Sequence, residues 1–235
     1  MVIFVILICS KGSNKMSNNI NNVHKYKITK YGYLFFKRLF DIIIGLIGLI
    51  LLIPITILLK IAYICTGDFH SIFYSQIRVG KNGHYFRLFK YRSMVVNADE
   101  ILKQKLKEDK KFKKEWDKYQ KVDDDPRITK VGKVIRKLSL DEIPQFINLL
   151  IGNMSLIGPR PLIPGELDKF KGKHEIYEAV KPGITGWWAC NGRSATNYKE
   201  RLELEYFYVK NASFKLDVKC VFKTIVALLS RKGAK

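Results

Sequence analysis

From Ile42 to Leu59 the chain runs for eighteen residues without a charge, and only Gly45, Gly48, Pro54 and Thr56 interrupt the aliphatic series. That length suffices for a helix inserted in the hydrocarbon layer of a bilayer. A core helix of a soluble domain is the alternative, but a run with no polar face is unusual in so short a chain. Basic residues flank it on both sides: Lys25, Lys27, Lys30, Lys37 and Arg38 before, and Lys60, Arg78, Lys81, Arg87, Lys90 and Arg92 after. The positive-inside rule therefore gives no direction of crossing and tends to hold both ends in the cytoplasm. Pro54 removes one backbone hydrogen bond within the run and favours a bend. A Pro-bent, re-entrant helix satisfies both observations, and a kinked simple span stays open.

Beyond this helix the patterning becomes that of a water-soluble domain. Phe73 to Met94 mixes aromatic and β-branched residues around Gly80-Lys-Asn-Gly83, which predicts two strands joined in a hairpin. Asp99 to Gln120 predicts a Lys-rich helix with Leu102, Leu106, Phe112, Trp116 and Tyr119 near one side. That stripe suits either an anionic membrane face or the domain's own surface. Asp125-Pro126-Arg127 ends it, and Gly158-Pro-Arg-Pro161 and Lys181-Pro-Gly183 read as loops. A last apolar-periodic helix is predicted over Leu216 to Leu229. Before the long run, Met1 to Cys9 is apolar but too short to span and lacks signal-peptide features. A polar stretch follows it, and Met16 is an alternative start.

Charge sharpens the picture. Lys and Arg number 42 against 21 Asp and Glu, leaving a formal +21, while 47% of the residues are apolar. Such a chain can build a core, and its surface attracts polyanions: nucleic acid, an anionic membrane or phosphate-rich substrates. Charge alone does not choose among them. A nucleic-acid partner leaves the apolar run unexplained, and no nucleic-acid recognition motif is present. Cys9, Cys65, Cys190 and Cys220 are scattered, and the four histidines are dispersed, which argues against a disulfide framework and a structural zinc site.

In a chain poor in acids, Ser139-Leu-Asp-Glu-Ile-Pro-Gln145 places two carboxylates, Asp141 and Glu142, side by side. Ser139 and Glu142 stand at capping-box spacing, which predicts a helix start here. Simple N-terminal capping would account for the acids. A helix N-terminus with paired carboxylates also suits metal-assisted chemistry on phosphates. Lys90 and Arg92 end the hairpin region, Arg127 and Arg136 lie just before the pair, Arg160 sits in a Pro-bracketed loop and Arg193 in Asn191-Gly-Arg-Ser194; guanidinium forks match phosphate oxygens. Together they suggest a diphosphate site.

Four ordered blocks resemble the bacterial sugar transferases, the monotopic polyprenyl-phosphate phosphoglycosyl transferases. They are Lys37-Arg-Leu-Phe-Asp41; Gln76-x-Arg-x-Gly80-x-x-Gly83 on to Lys90-x-Arg-Ser-Met94; Asp125-Pro-Arg-Ile-Thr129 through the acidic pair to Met154-Ser-Leu-Ile-Gly-Pro-Arg-Pro161; and Lys181-Pro-Gly-Ile-Thr-Gly-Trp-Trp188 with Asn191-Gly-Arg-Ser194. The resemblance covers about Tyr33 to Leu229 and points to the small catalytic-core type, without the multi-helix membrane region of larger relatives. Two places depart from it: His70-Ser71 stands where Gly-Pro is common, and Ala189-Cys190 where Gln-Val is common.

The expected fold is α+β: a mostly helical catalytic domain with a small β-hairpin and an N-terminal re-entrant, Pro-bent membrane helix. The expected division is a variable N-terminal segment (1–32), the membrane helix (33–64) and a cytoplasmic phosphoglycosyl transferase domain with interfacial helices (65–235). By the same resemblance Asp141 is the nucleophile and Glu142 holds Mg²⁺. Lys90, Arg136, Gln145, Arg160 and Asp217 are expected to bind substrate or phosphate. The implied partners are a nucleotide-sugar donor, a polyprenyl phosphate acceptor and membrane lipids, with no nucleic acid and with a homo-oligomer left open. The implied location is the inner membrane, with the active site facing the cytoplasm.

Overall fold

The computed structural model describes residues 31–119, 122, 125–166, 177–192, 196 and 198–229. The N-terminal stub with its alternative start, Arg193 and the basic tail lie outside the described residues.

The apolar run forms the centre of α1 (Tyr31–Cys65), a helix of 35 residues that continues through Pro54. Asp41, Gly45, Gly48, Leu52, Leu59 and Tyr63 are buried on it, a spacing that falls on one face at 3.6 residues per turn. Much of the rest is exposed and aliphatic, with Ile50 at 69% and Leu58 at 66%. Such a face has no partner in water, and it is consistent with membrane association.

The buried stripe of α1 packs on the remaining chain along its whole length. Near its start, Arg38 donates to the carbonyls of Leu149 and Leu150 at 2.6 and 2.7 Å. Asp41 accepts from the Leu156 N–H at 2.8 Å and from the Ser155 hydroxyl at 3.1 Å. Near its end, Tyr63 donates its hydroxyl hydrogen to the Arg92 carbonyl, and Leu59 and Tyr63 join Ile72, Tyr91 and Ile135 in one apolar cluster.

The hairpin appears as expected. Strands β1 (Phe73–Val79) and β2 (Tyr85–Tyr91) run antiparallel, with Phe73 opposite Tyr91 and Val79 opposite Tyr85. In their turn Asn82 has φ 57° and Gly83 φ 73°, the left-handed conformation that Asn and Gly adopt most readily.

The single helix expected over Asp99 to Gln120 is two: α2 (Ala98–Glu108) and α3 (Lys110–Tyr119). Asp109 between them is extended, and its carboxylate accepts from the N–H groups of Lys111 and Phe112 at 2.9 and 3.0 Å. An aspartate that caps a new helix in this way stops the old one. Phe112 is buried, and Trp116 lies under the Arg127 guanidinium at 4.8 Å, so these two stripe residues pack on the chain itself.

Thr129 caps α4 (Lys130–Lys137) by accepting from the Gly132 N–H. The helix start expected at Ser139 is corrected. Ser139 sits at φ 55°, ψ 26°, and its side chain makes no cap. It is a left-handed residue just past the end of α4, with its N–H on the Arg136 carbonyl. A single 3₁₀ turn, Leu140–Glu142, follows, and α5 (Gln145–Ile151) begins only after Pro144. Proline suits that place because its missing N–H would have no helical partner there.

Two three-residue strands, β3 (Ser155–Ile157) and β4 (Gly183–Thr185), pair in parallel. Helices α6 (Trp187–Asn191), α7 (Tyr198–Asn211) and α8 (Phe214–Leu229) follow. The expected last helix is α8. The described residues form a mostly helical α+β fold with a hairpin and one long apolar helix near the N-terminus.

Candidate active site

Asp141 and Glu142 lie on the 3₁₀ turn between α4 and α5, braced on both sides. Leu140 and Ile143 pack into the cluster of Leu59, Tyr63, Tyr91 and Ile135, which leaves the acids between them partly open to solvent. Lys90, near the end of β2, reaches both: its Nζ is 3.5 Å from Asp141 Oδ2 and 3.8 Å from Glu142 Oε1. The three side chains keep 24%, 19% and 34% of their surface exposed, enough for a ligand to reach them.

Lys90 is aimed by its strand, and its strand is held by Asn148. That residue of α5 is fully buried, accepts from the Phe89 N–H at 3.0 Å and donates to the Arg87 carbonyl at 2.7 Å. An apolar residue there would leave two main-chain groups unpaired in the interior. Arg136, in the last turn of α4, is held by a 2.9 Å bond from Nε to the Ser93 hydroxyl. Burial lowers its pKa, and the carboxylates of Asp141 and Asp125 oppose that shift. Asp125 itself is gripped by Arg127 at 2.6 and 2.8 Å. Burial would raise the Asp125 pKa, but the Arg127 bonds hold it below the ordinary value.

The other expected residues fall in three places. Gln145 is the buried first residue of α5, three positions beyond Glu142. Arg160 is exposed on the loop after β3, with its guanidinium 5.9 Å from the Trp188 ring centre. Asp217, on α8, is occupied elsewhere: it accepts from Tyr33, Lys37 and Tyr208 at 2.8, 2.6 and 2.6 Å. These bonds tie α8 to the start of α1 and to α7. The structure thus brings Lys90 to the acidic pair, leaves Arg136 within electrostatic reach of Asp141, and ties Asp217 to Tyr33, Lys37 and Tyr208.

Two carboxylates share one lysine, and the field of an arginine reaches the first of them, a set of groups chemically able to handle phosphate. One carboxylate is available as a nucleophile and one as a hard oxygen ligand.

A family model described as "Bacterial sugar transferase" matches residues 32–231. The chain belongs to that family.

Similar proteins carry related names. The "UDP-galactose-lipid carrier transferase" of Erwinia amylovora is 40% identical over 220 residues, covering 94% of this chain and 44% of the relative. The "Undecaprenyl-phosphate galactose phosphotransferase" of Salmonella typhimurium is 43% identical over 200 residues, 85% of this chain and 42% of the relative. The "Exopolysaccharide production protein ExoY" of Sinorhizobium fredii is 41% identical over 198 residues, 84% of this chain and 87% of the relative. The chain therefore spans less than half of the first two proteins and most of the third.

Sequence reading missed Asn148, Ser93 and Glu205. Asn148 had a signal: it is the one polar residue inside Phe146 to Ile151. Glu205, 3% exposed on α7, had none, because it looks like any helical acid until α7 is docked.

Proposed function

We propose that this chain transfers a sugar 1-phosphate from a UDP-sugar to polyprenyl (undecaprenyl) phosphate and releases UMP. Its product would begin assembly of a capsule, exopolysaccharide, O-antigen or glycoprotein glycan. The observation that carries the reading is the Lys90–Asp141–Glu142 cluster on a turn braced beside an apolar, outward-facing helix. Relatives named for undecaprenyl-phosphate transfer support the choice of substrates.

An Asp141 carboxylate oxygen attacks the sugar-bearing phosphorus of the donor, and the bond from that phosphorus to the UMP oxygen breaks. The result is UMP and an aspartyl-phosphosugar. A phosphate oxygen of the polyprenyl acceptor then attacks the same phosphorus, and the Asp141 carboxylate leaves. Two displacements with a common covalent intermediate divide one difficult transfer into two easier steps. Lys90 lies where it orients Asp141 and offsets the negative charge that gathers around it. Arg136, held by Ser93, adds a second cation within electrostatic reach of Asp141, and Arg160 offers an exposed fork for a phosphate.

The donor set fits Mg²⁺. Glu142 presents a partly exposed carboxylate beside Asp141. Mg²⁺ needs only one or two carboxylates when substrate phosphates complete its shell, so Glu142 is assigned as its ligand. Bound there, the ion would neutralise diphosphate charge.

The chain is read as a variable segment (1–32), a re-entrant helix in the inner membrane (33–64) and a cytoplasmic domain (65–235). Contacts from both ends of α1 to the same domain support this, since a straight span would carry one end away. Cysteine labelling at the two ends of α1 should find both on the cytoplasmic side, and opposite-side labelling would replace re-entry by a span. The transfer itself is tested by UMP release from a panel of UDP-sugars, using detergent-solubilised protein with polyprenyl phosphate and Mg²⁺. Release with one sugar, lost in Asp141→Asn, is the expected result. Equal release by Asp141→Asn would remove Asp141 as the nucleophile.

A further inference from the structure

Arg160 stands on a segment whose main chain is held at every residue. The Gly158 N–H donates to the Thr185 carbonyl at 2.9 Å, and the Pro159 carbonyl accepts from the Gly183 N–H at 2.8 Å. The Arg160 N–H is shared by both Glu205 oxygens at 3.3 and 3.2 Å, and its carbonyl accepts from the Tyr177 hydroxyl. The Pro161 carbonyl accepts from Arg78 Nη1 at 3.1 Å, and the Leu162 carbonyl from the Val79 N–H at 2.9 Å. The peptide is thus gripped by one strand pair, by β1 and by three side chains that are each more than nine-tenths buried.

The side chain on this peptide is exposed, and among the described residues no carboxylate pairs with its guanidinium. Surface arginines seldom have so fully determined a backbone, because loops at a surface leave much of it to water. Glu205 is costly to bury, and desolvation raises its pKa while Arg201 at 3.4 Å opposes the shift. Were its role only to pair with Arg201, its two oxygens would have no need to converge on the N–H of a neighbouring loop. Arg78 is similar: held to Gln76 Oε1 at 2.6 Å, it turns its other fork nitrogen to the Pro161 carbonyl.

We propose that Glu205, Tyr177 and Arg78 are positioning residues that fix the Arg160 peptide so that its guanidinium meets the diphosphate of the nucleotide-sugar donor. This rests on the transferase reading above and assigns roles to three side chains outside the acidic pair. A planar fork binds phosphate well only when its base is held at a fixed angle. The set acts through Arg160 and does not touch substrate.

The test is a double-mutant cycle on kcat/KM for the UDP-sugar that wild-type protein turns over. In a two-displacement reaction this quantity reports the donor half alone. Glu205→Gln should lower it about tenfold or more, the scale of one charge-assisted hydrogen bond. Arg160→Ala should lower it at least as far, and the double variant should be no worse than Arg160→Ala. Tyr177→Phe, which removes a single hydroxyl, runs the same cycle where Glu205→Gln fails to fold. Effects that multiply with Arg160→Ala would overturn the proposal, since a merely structural role acts whether or not the guanidinium is present. A wild-type protein that releases UMP from no UDP-sugar would instead overturn the transferase reading, and this proposal with it.

Discussion

Gly48 sets how closely α1 approaches the helix that follows the acidic pair. A Cβ built at Gly48 would lie 2.2 Å from Phe146 Cγ and 2.5 Å from both ring Cδ atoms. Ordinary carbon contacts are ~3.5–4.0 Å, so Gly48→Ala requires the ring, or α5 with it, to move by more than about 1 Å. A Cβ built at Gly45, one turn earlier, would likewise lie 2.7 Å from Leu150 Cδ2, which leaves α5 little room to slide in that direction. Overpacking of this kind costs about 1–3 kcal/mol. Phe146 is also the second residue of α5, four positions after Glu142. A 1 Å displacement passed to the carboxylates would lower kcat/KM about 10²-fold.

Thermal unfolding in detergent and UMP release together measure the two effects. Phe146→Ala should restore both in the double variant, because it empties the space that the new methyl needs. A Gly48→Ala protein with wild-type stability and rate would refute the reasoning. So would a loss that Phe146→Ala leaves uncorrected.

Lys90→Met, which keeps most of the side-chain volume and removes the cation, should lower kcat/KM on the order of 10²-fold with little change in unfolding temperature; an unchanged rate would remove Lys90 from the site. EDTA should stop UMP release and added Mg²⁺ restore it, whereas indifference to both would remove the metal role given to Glu142. The buried Asp125–Arg127 pair should make stability depend on pH. The pair holds the folded pKa of Asp125 below its unfolded value, so its contribution is present above about 3.9 and is lost as pH falls through the lower folded value. Asp125→Asn should therefore cost about 3–5 kcal/mol at neutral pH, and its deficit should shrink on strong acidification, read as unfolding temperature against pH for both proteins. A deficit that is constant with pH would show that the ion pair is not its source.

The sequence made some of this legible and hid the rest for physical reasons. The run from Ile42 to Leu59 is long and uniform enough that no local competition obscures it, and it lies within α1. The hairpin announced itself through Gly80 to Gly83, where left-handed backbone is required. Ser139 misled because S-x-x-E spacing is local, whereas its conformation is set by the end of α4 and by Pro144 beyond. Asp109 divided a helix by taking two N–H groups for itself, a competition that apolar periodicity does not register. Strands β3 and β4 are three residues each, too short to show alternation. Asp141, Glu142 and Lys90 were legible as residues, and the structure supplied their approach. Asp217 is expected at the substrate, and its contacts across three helices could not be read from the sequence. Glu205 and Asn148 matter only once distant segments meet.

The transferase reading makes Asp141 the carrier of the phosphosugar between donor and acceptor. Its most direct test is mass spectrometry of the protein mixed with UDP-sugar and Mg²⁺ in the absence of polyprenyl phosphate. UMP should be released up to one equivalent, with a phosphosugar adduct on the peptide containing Asp141 that is discharged when the acceptor is added. UMP released only in the presence of acceptor, with no adduct at any time, would mean direct displacement and would contradict it.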